Sequence, residues 1–157
     1  MTTHDDPFQI IPFAPEHAEA FRALNEAWIS KFFHLEPADH LVLNDPIAQI
    51  IDKGGQIFIA VHNGAAVGCV ALKAMADGGY EVAKMTVAER QRGTGLGRIL
   101  LQRCIDAGAA AGARRLYLET NAKLAPAMGL YRAMGFHELP PNETPYDRCD
   151  VFMERPY

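Results

Sequence analysis

Three consecutive strand-like segments in the middle of the chain constrain its fold more than any other feature. Residues 56–62 and 66–74 are rich in isoleucine, valine and phenylalanine, and Asn63-Gly64 between them accepts positive φ at both central turn positions. Asp77-Gly78-Gly79 then turns the chain into a third segment, residues 80–87. Because consecutive strands joined by short turns pair as neighbours, this pattern predicts an antiparallel meander.

Helical patterns and further strands surround the meander. The predicted helices are residues 15–33, a short segment from Asp45-Pro46 to Gly54, residues 95–111 and residues 124–134. The other predicted strands are residues 8–13, 115–120, 136–139 and 149–154. The order β-α-α-β-β-β-α-β-α-β-β is not a repeating βα unit, so it predicts an α+β fold with a mixed central β-sheet flanked by helices.

Length and composition indicate one globular domain. The chain has 157 residues, of which 49% are hydrophobic, enough to build one core, and we expect a single domain over residues 1–157. Fifteen basic residues against nineteen acidic residues give a net charge of −4, which argues against a nucleic-acid partner.

Cysteine usage and the apolar stretches predict the compartment. The three cysteines are an odd number without CxxC spacing, and the N-terminal residues do not resemble a signal peptide. No apolar stretch approaches the roughly 18 residues that cross a bilayer, so no membrane partner is expected. These features predict a soluble, cytoplasmic protein; whether it forms a homodimer is left open.

A glycine-rich loop, Arg92-Gly93-Thr94-Gly95-Leu96-Gly97-Arg98, lies between a predicted strand and a predicted helix. Glycines let the main chain approach an anion closely, and the free N–H groups and the dipole of the helix attract negative charge. The loop therefore predicts a phosphate-binding site, with a turn that binds no ligand as the alternative.

Two known phosphate-binding motifs do not fit this loop. A Walker loop ends in Gly-Lys-Ser/Thr, whereas Gly97 is followed by Arg98 and Ile99. A dinucleotide fingerprint has glycine at the position that Arg98 occupies, although Glu119 lies about where that motif has its acidic residue. A dinucleotide-binding oxidoreductase thus stays only as a weaker alternative.

The loop pattern Arg92-x-x-Gly95-x-Gly97, together with Leu130-Tyr131 and Gly135-Phe136 downstream, resembles the GNAT superfamily of N-acetyltransferases. The resemblance implies acetyl-CoA as co-substrate. In such proteins the loop binds the pyrophosphate of coenzyme A and the preceding strand pairs with its pantetheine arm. The cofactor-binding residues that the resemblance implies are Met85, Thr86, Val87, Arg92, Gly93, Thr94, Gly95, Leu96, Gly97 and Arg98.

The resemblance also implies two catalytic residues. Tyr131 lies where relatives place the general acid, and a phenol with a pKa near 10 is protonated at neutral pH. Glu81, eleven residues before Arg92, lies where one branch of the family has its general base. The alternatives are packing for Tyr131 and a salt bridge with Lys73 or Lys84 for Glu81, and a bulge in this strand would change which side chains share its face.

Five residues are predicted around the acceptor amine. They are Trp28, Phe32, Glu36, Asn121 and Arg148. The aromatic pair also suits a core position, and Asn121 also suits a helix cap. Many relatives have an asparagine where this chain has Leu124, so the role of Asn121 is inferred separately.

Arg148 offers a planar fork for a carboxylate, with Glu26 or Glu36 facing the amine, so an amino acid is the predicted acceptor; a surface ion pair of Arg148 is the alternative. The six histidines show no metal-ligand spacing, and no metal is expected. The predicted function is direct transfer of an acetyl group from acetyl-CoA to a small-molecule primary amine. A non-catalytic acyl-CoA-binding sensor or interaction domain is the alternative.

Overall fold

The structure, a computed structural model, describes residues 7–157; the first six residues, including His4, lie outside this range. Seven strands form one mixed sheet in the order β1-β2-β3-β4-β5-β7-β6. The strands are β1 (Gln9–Pro12), β2 (Gln56–His62), β3 (Ala65–Ala74), β4 (Tyr80–Val87), β5 (Arg115–Thr120), β6 (His137–Leu139) and β7 (Val151–Pro156). The α-helices are α1 (Ala18–Phe32), α2 (Pro37–Asn44), α3 (Leu96–Ala110) and α4 (Ala125–Ala133). Short 3₁₀ turns cover Pro15–His17 and Glu89–Gln91, and a π-helical turn covers Ile47–Ile51.

The predicted α+β fold and its antiparallel meander are confirmed. Strands β2, β3 and β4 pair in chain order, and each pair is antiparallel. At the first turn Asn63 has φ 50° and Gly64 has φ 78°, the left-handed conformation that this dipeptide accepts. The order of strands and α-helices is also the predicted one.

The second helix lies elsewhere than predicted. The sequence interpretation placed it from Asp45 to Gly54, where the structure has the π-helical turn, and the α-helix α2 comes earlier, from Pro37. Pro37 occupies the first helical turn, and the side chain of Asp39 accepts a hydrogen bond from the N–H of Glu36 at 2.9 Å. This capping signal is local, and the sequence interpretation missed it.

The sheet is covered on both faces. Alternate residues of β3 point to opposite sides: Val70 and Leu72 pack with α3, whereas Cys69 and Ala71 pack with Phe21 of α1 and with α2. Both faces of β3 are therefore dry, which explains its nearly continuous apolar sequence. No helix within residues 7–157 combines the length and the apolarity needed to cross a membrane.

Strands β4 and β5 form the parallel pair of the sheet, and they soon separate. The paired positions are Tyr80 with Leu116 and Glu81 with Tyr117, and past these positions the two strands diverge. The divergence leaves a wedge-shaped gap in the middle of the sheet. This gap is where the sheet opens toward solvent between the glycine-rich loop and α4.

A β-bulge lies in β4 at the edge of this gap. On β3, Cys69 is opposite Thr86 and Ala71 is opposite Ala83, so β4 contains one extra residue between these positions. Lys84 in this bulge has φ 54°, which is uncommon for any residue except glycine. The bulge turns Lys84 toward α2, the same face as Glu81, whereas strict alternation places these residues on opposite faces.

Candidate active site

A cavity of about 230 Å³ occupies the gap between β4 and β5. Its walls come from α1, β4, β5, α4 and the segment that precedes β7. The residues predicted from the sequence that line it are Trp28, Glu81, Met85, Val87, Arg92, Asn121, Tyr131 and Arg148. Phe32, Glu36 and Thr86 do not line it, and Thr86 is buried with a hydroxyl that has no hydrogen-bond partner in the described chain.

The glycine-rich loop presents main-chain N–H groups at the start of α3. Gly93 and Gly95 have φ 77° and 86°, and a Cβ atom at either position would meet nothing within 4 Å. Within residues 7–157, the amides of Leu96, Gly97 and Arg98 donate to no acceptor. These amides and the helix dipole form an arrangement that fits a phosphate group.

Side chains of the loop differ in their roles. Leu96 is buried in the core, so it can serve a ligand only through its main chain. The hydroxyl of Thr94 donates to the carbonyl of Gln91 at 2.5 Å and braces the turn. The guanidinium of Arg92 lies 5.4 Å from the ring centre of Phe32, and Arg98 is exposed. Two cationic side chains therefore flank the free amides.

Tyr131, on α4, reaches the cavity with its hydroxyl. This hydroxyl makes no hydrogen bond within the described residues, while the ring packs edge-on against Phe136 at 6.0 Å between centres. Burial raises the pKa of Tyr131 to about 12. The phenol therefore keeps its proton well above neutral pH and can donate it.

Glu81 faces the cavity without an ion-pair partner in the described chain. It is opposite Lys73 in the β3–β4 register, but neither Lys73 nor Lys84 forms a salt bridge with it. The salt-bridge alternative is therefore wrong. Burial raises the pKa of Glu81, and nearby Glu119 raises it further, against the opposing charge of Lys73.

A buried ionic network joins α2, the β4 bulge and the segment before β7. Asp39, fully buried, accepts hydrogen bonds from both terminal nitrogens of Arg148 at 2.7 and 2.6 Å and from Lys84 at 2.6 Å. Arg148 also binds Glu36 at 3.1 Å. The ring of Tyr146 lies 4.6 Å from the ammonium of Lys84 and 4.5 Å from the guanidinium of Arg148.

This network corrects the predicted roles of Arg148 and Glu36. The prediction gave Arg148 a substrate carboxylate and Glu26 or Glu36 a substrate amine. Arg148 and Glu36 instead bind each other, Arg148 binds Asp39 as well, and Glu26 does not line the cavity. The alternative of a surface ion pair is also wrong, because the partners of Arg148 are the buried carboxylates of Glu36, the N-cap of α2, and Asp39, in α2. With its fork bound to Asp39, Arg148 shapes the cavity wall and does not offer a free carboxylate site.

The aromatic residues at the end of α1 lie in two different places. Trp28 and Phe33 line the cavity. Phe32 instead lies under Arg92, outside the cavity, because it points to the side of α1 that faces the loop. Lys123 lies 4.2 Å from the ring centre of Phe33 and donates to the carbonyl of Phe32 at 3.3 Å.

Asn121 lines the cavity at the end of β5 and fastens the chain there. Its amide nitrogen donates to the carbonyl of Arg148 at 2.8 Å, and its amide oxygen accepts from the N–H of Lys123 at 2.9 Å. The alternative of a helix cap is wrong, because Leu124 is the N-cap of α4. Asn121 thus holds the segment before β7 against the cavity.

Glu119 and Cys149 also line the cavity, and the sequence interpretation did not assign them to the site. Glu119, on β5, accepts hydrogen bonds from the hydroxyls of Tyr117 at 2.9 Å and Thr144 at 2.5 Å. The sequence marked Glu119 only as an acidic residue downstream of the loop. The parallel pairing of β4 and β5 brings Glu119 toward Glu81, and no local sequence pattern indicates this pairing.

Replacing Asp39 with asparagine is expected to destabilise the fold by about 3 to 5 kcal/mol, because Arg148 and Lys84 would stay buried without their carboxylate. Burial opposes ionisation of Asp39, but the hydrogen bonds from Arg148 and Lys84 prevail and lower its pKa from 3.8 to about 2. Its stabilising contribution is therefore present above the ordinary pKa and is lost as the pH falls through about 2.

Urea unfolding at neutral pH and at several acidic pH values measures both effects. Glu19→Gln is the matched control, because Glu19 forms an exposed pair with Arg22 on α1, worth about 0.5 kcal/mol or less. Equal stability of Asp39→Asn and the parent protein at neutral pH would contradict the assigned importance of the network.

Comparisons with known proteins place this geometry in context. Residues 18–136 match the model of the acetyltransferase (GNAT) family. The chain is 40% identical over 104 residues to IAA acetyltransferase from Azospirillum brasilense, covering 64% of this chain and 67% of that protein. It is 28% identical over 159 residues to streptothricin acetyltransferase from Streptomyces lavendulae, covering 86% and 84% of the two chains.

Solved structures share the fold. A GNAT-family acetyltransferase from Staphylococcus aureus superposes with a TM-score of 0.86 at 22% identity, covering 95% of this chain and 98% of that chain. PaiA N-acetyltransferase from Thermoplasma acidophilum, solved in complex with coenzyme A, superposes with a TM-score of 0.76 at 15% identity, covering 96% and 99%. At sequence identities of 22% and 15%, the similarity to these structures shows a shared fold alone.

Proposed function

The chain belongs to the acetyltransferase (GNAT) family and is an N-acetyltransferase, and from this premise we propose that it transfers an acetyl group from acetyl-CoA to a primary amine of a small molecule by direct attack. The observation that carries the proposal is that Glu81, Tyr131 and Arg92 line one cavity. A base (Glu81), an acid (Tyr131) and a cationic side chain beside the anion-binding loop (Arg92) are thus available to the same reactants.

Binding of acetyl-CoA is supported by two features of the main chain. The free amides at the start of α3 fit the pyrophosphate. The edge of β4 from Val82 to Val87 has no β5 partner, so its N–H and C=O groups are available to an extended amide-bearing arm. When bound, acetyl-CoA supplies the thioester carbonyl that the amine attacks.

The chain's own residues move the protons. Glu81, with its raised pKa and without an ion-pair partner in the described chain, accepts the proton of the acceptor ammonium, directly or through a water molecule. Tyr131 donates its phenolic proton to the departing sulfur, and its pKa of about 12 keeps that proton in place until it is needed. No covalent bond to the protein is required.

A small acceptor is supported by the cavity volume of about 230 Å³. The finer prediction of an amino acid depended on Arg148, whose guanidinium is bound to Asp39 and Glu36. We therefore propose a small primary amine as the acceptor and no longer specify an amino acid.

The two alternatives from the sequence are not retained. A non-catalytic sensor finds no support, because both curated relatives are named acetyltransferases. A dinucleotide-binding oxidoreductase is excluded by the family to which the chain belongs.

We also propose that the protein works in the cytoplasm. The cysteines Cys69, Cys104 and Cys149 are all free thiols in the structure. Free thiols persist in a reducing compartment.

Replacing Glu81 with glutamine tests the base. We expect kcat/KM at neutral pH to fall by about 10²-fold, at the lower end of general-base effects. Because the base acts in its ionised form and its pKa is raised, kcat/KM of the parent should rise with pH through that pKa, and the variant should lose this acid limb. The measurement is initial rate against pH with saturating acetyl-CoA.

Glu138→Gln, at an exposed carboxylate paired with Arg132 on the far edge of the sheet, is the control and should leave the profile unchanged. An intact acid limb in Glu81→Gln would show that another group removes the proton.

A further inference from the structure

Four carboxylates lie in the cavity wall or bind a residue of that wall, and they fall into two classes. Asp39 and Glu36 are bound by Arg148 and, for Asp39, by Lys84. Glu81 and Glu119 line the cavity, and neither forms a salt bridge within the described residues. The cations next to Asp39 are therefore already neutralised, and two negative charges face the cavity.

Glu119 is oriented by neutral groups. One oxygen accepts from the hydroxyl of Tyr117 and the other from the hydroxyl of Thr144. These donors are neutral, so they orient the carboxylate without forming an ion pair with it. The remaining lone pairs of both oxygens are available to a ligand in the cavity.

The charges of Glu81 and Glu119 affect the neighbouring thiol of Cys149. The pKa of the Cys149 thiol rises to about 12, first through burial and then through the charge of Glu119; Arg148 opposes this rise and Glu81 adds to it. Lys73, in register with Glu81, opposes these negative charges, and Lys84, Arg92 and Arg148 are the other cations that line the cavity. None of these cations forms a salt bridge with Glu81 or Glu119 within the described residues, so both carboxylates stay unpaired at the cavity.

The opposite wall of the cavity is apolar. Trp28 and Phe33, with Ile29 and Val42, line it. Apolar and aromatic surface suits a hydrocarbon or ring body and gives nothing to a second charged group. The cavity thus has an anionic end across the strand gap and an apolar end at α1.

We propose that Glu119 and Glu81 form a two-carboxylate site that binds the acceptor ammonium across the β4–β5 gap and discriminates against acceptors that carry a carboxylate. The acceptor class is a small primary amine on an apolar or aromatic body without an acid group. A carboxylate on the acceptor would meet the like charge of Glu81 and Glu119, because Arg148 and Lys84 are bound to Asp39, Lys73 lies opposite Glu81, and Arg92 flanks the glycine-rich loop. The inference rests on the proposed function and specifies its substrate.

Paired acceptors that differ only in a carboxylate provide the test. Tryptamine is compared with tryptophan, tyramine with tyrosine, and phenethylamine with phenylalanine, by acetyl-CoA consumption. We expect kcat/KM to favour each amine by about 10²-fold or more, since like-charge contacts in a desolvated site are strongly unfavourable. This comparison needs no variant, so it holds even if a substitution impairs folding.

Variants then assign the discrimination to Glu119. In Glu119→Gln, KM for the amines should rise about 10-fold while kcat at saturation is kept, and the preference over the amino acids should narrow. Glu119→Asp should restore part of the preference by restoring the charge. The control Glu138→Gln removes an exposed carboxylate that does not line the cavity, so the preference should persist.

Each remaining outcome is decisive. Equal or better turnover of the amino acids overturns the inference, as does an unchanged preference in Glu119→Gln. Loss of kcat for all acceptors in Glu119→Gln, with loss of the acid limb of the pH profile, makes Glu119 the base and also overturns it. Turnover of other amines but none of these pairs overturns the substrate class alone, whereas no acetyl-CoA turnover with any amine overturns the proposed function itself.

Discussion

Replacing Tyr131 with phenylalanine should lower kcat by about 10² to 10⁴-fold, the range of general-acid catalysis. The substitution removes only the hydroxyl, which makes no hydrogen bond within residues 7–157, so the packing of the ring against Phe136 is kept. The sulfur would then leave as an unassisted thiolate. Because the pKa of Tyr131 is about 12, the parent enzyme should not lose activity through this group at moderately alkaline pH.

The measurement separates binding from chemistry. Single-turnover rates should show the loss, while the affinity for coenzyme A stays unchanged. Tyr80→Phe is the matched control, since Tyr80 packs against the core cluster of the α3 face and makes no hydrogen bond through its hydroxyl in the described chain. An unchanged kcat in Tyr131→Phe would return this residue to a packing role.

Replacing Gly97 with aspartate should weaken coenzyme A binding by about 10³-fold. A side chain at this position meets only Leu130 at 3.7 Å, so the variant can fold, and an acidic residue in the first turn of α3 favours the helix. The same carboxylate would repel the pyrophosphate and displace it from the free amides. Loss of two hydrogen bonds to a charged group, at about 2 kcal/mol each, gives this magnitude.

Calorimetric titration with coenzyme A, alongside thermal unfolding, tests this prediction. Gly97→Asn is the matched control, because it adds nearly the same volume without the charge and should lose much less affinity. Parent-like binding by Gly97→Asp would place the phosphate elsewhere on the surface.

Local chemistry explains which parts of the fold the sequence predicts. The turn at Asn63-Gly64 and the helix ends at Gly112 and Gly135 depend on φ values that glycine and asparagine accept, so the residue types mark them. The helix α2 carries an equally local signal in Pro37 and Asp39, which the sequence interpretation passed over in favour of Asp45-Pro46.

In the candidate site, too, features that are contiguous in sequence are predicted and features formed by distant residues are not. The glycine-rich loop is contiguous in sequence, so its motif identifies it. The partners of Asp39 are Lys84 and Arg148, which are 45 and 109 residues away, and no spacing rule connects them. The sequence does not predict the bulge at Lys84 either, because left-handed residues are usually glycine or asparagine, and this one, with φ 54°, is a lysine.

The divergence of β4 and β5 has a mechanical consequence. Tyr80 with Leu116 and Glu81 with Tyr117 are the register positions that join strands β1–β4 to strands β5–β7. An extended ligand in the gap supplies main-chain partners that the sheet itself lacks there, and so acts as an interstitial strand. Because it binds the folded chain only, it raises the free energy of unfolding as RT ln(1 + [L]/Kd). Resistance to proteolysis should therefore rise with occupancy of the gap, most of all where the two half-sheets meet.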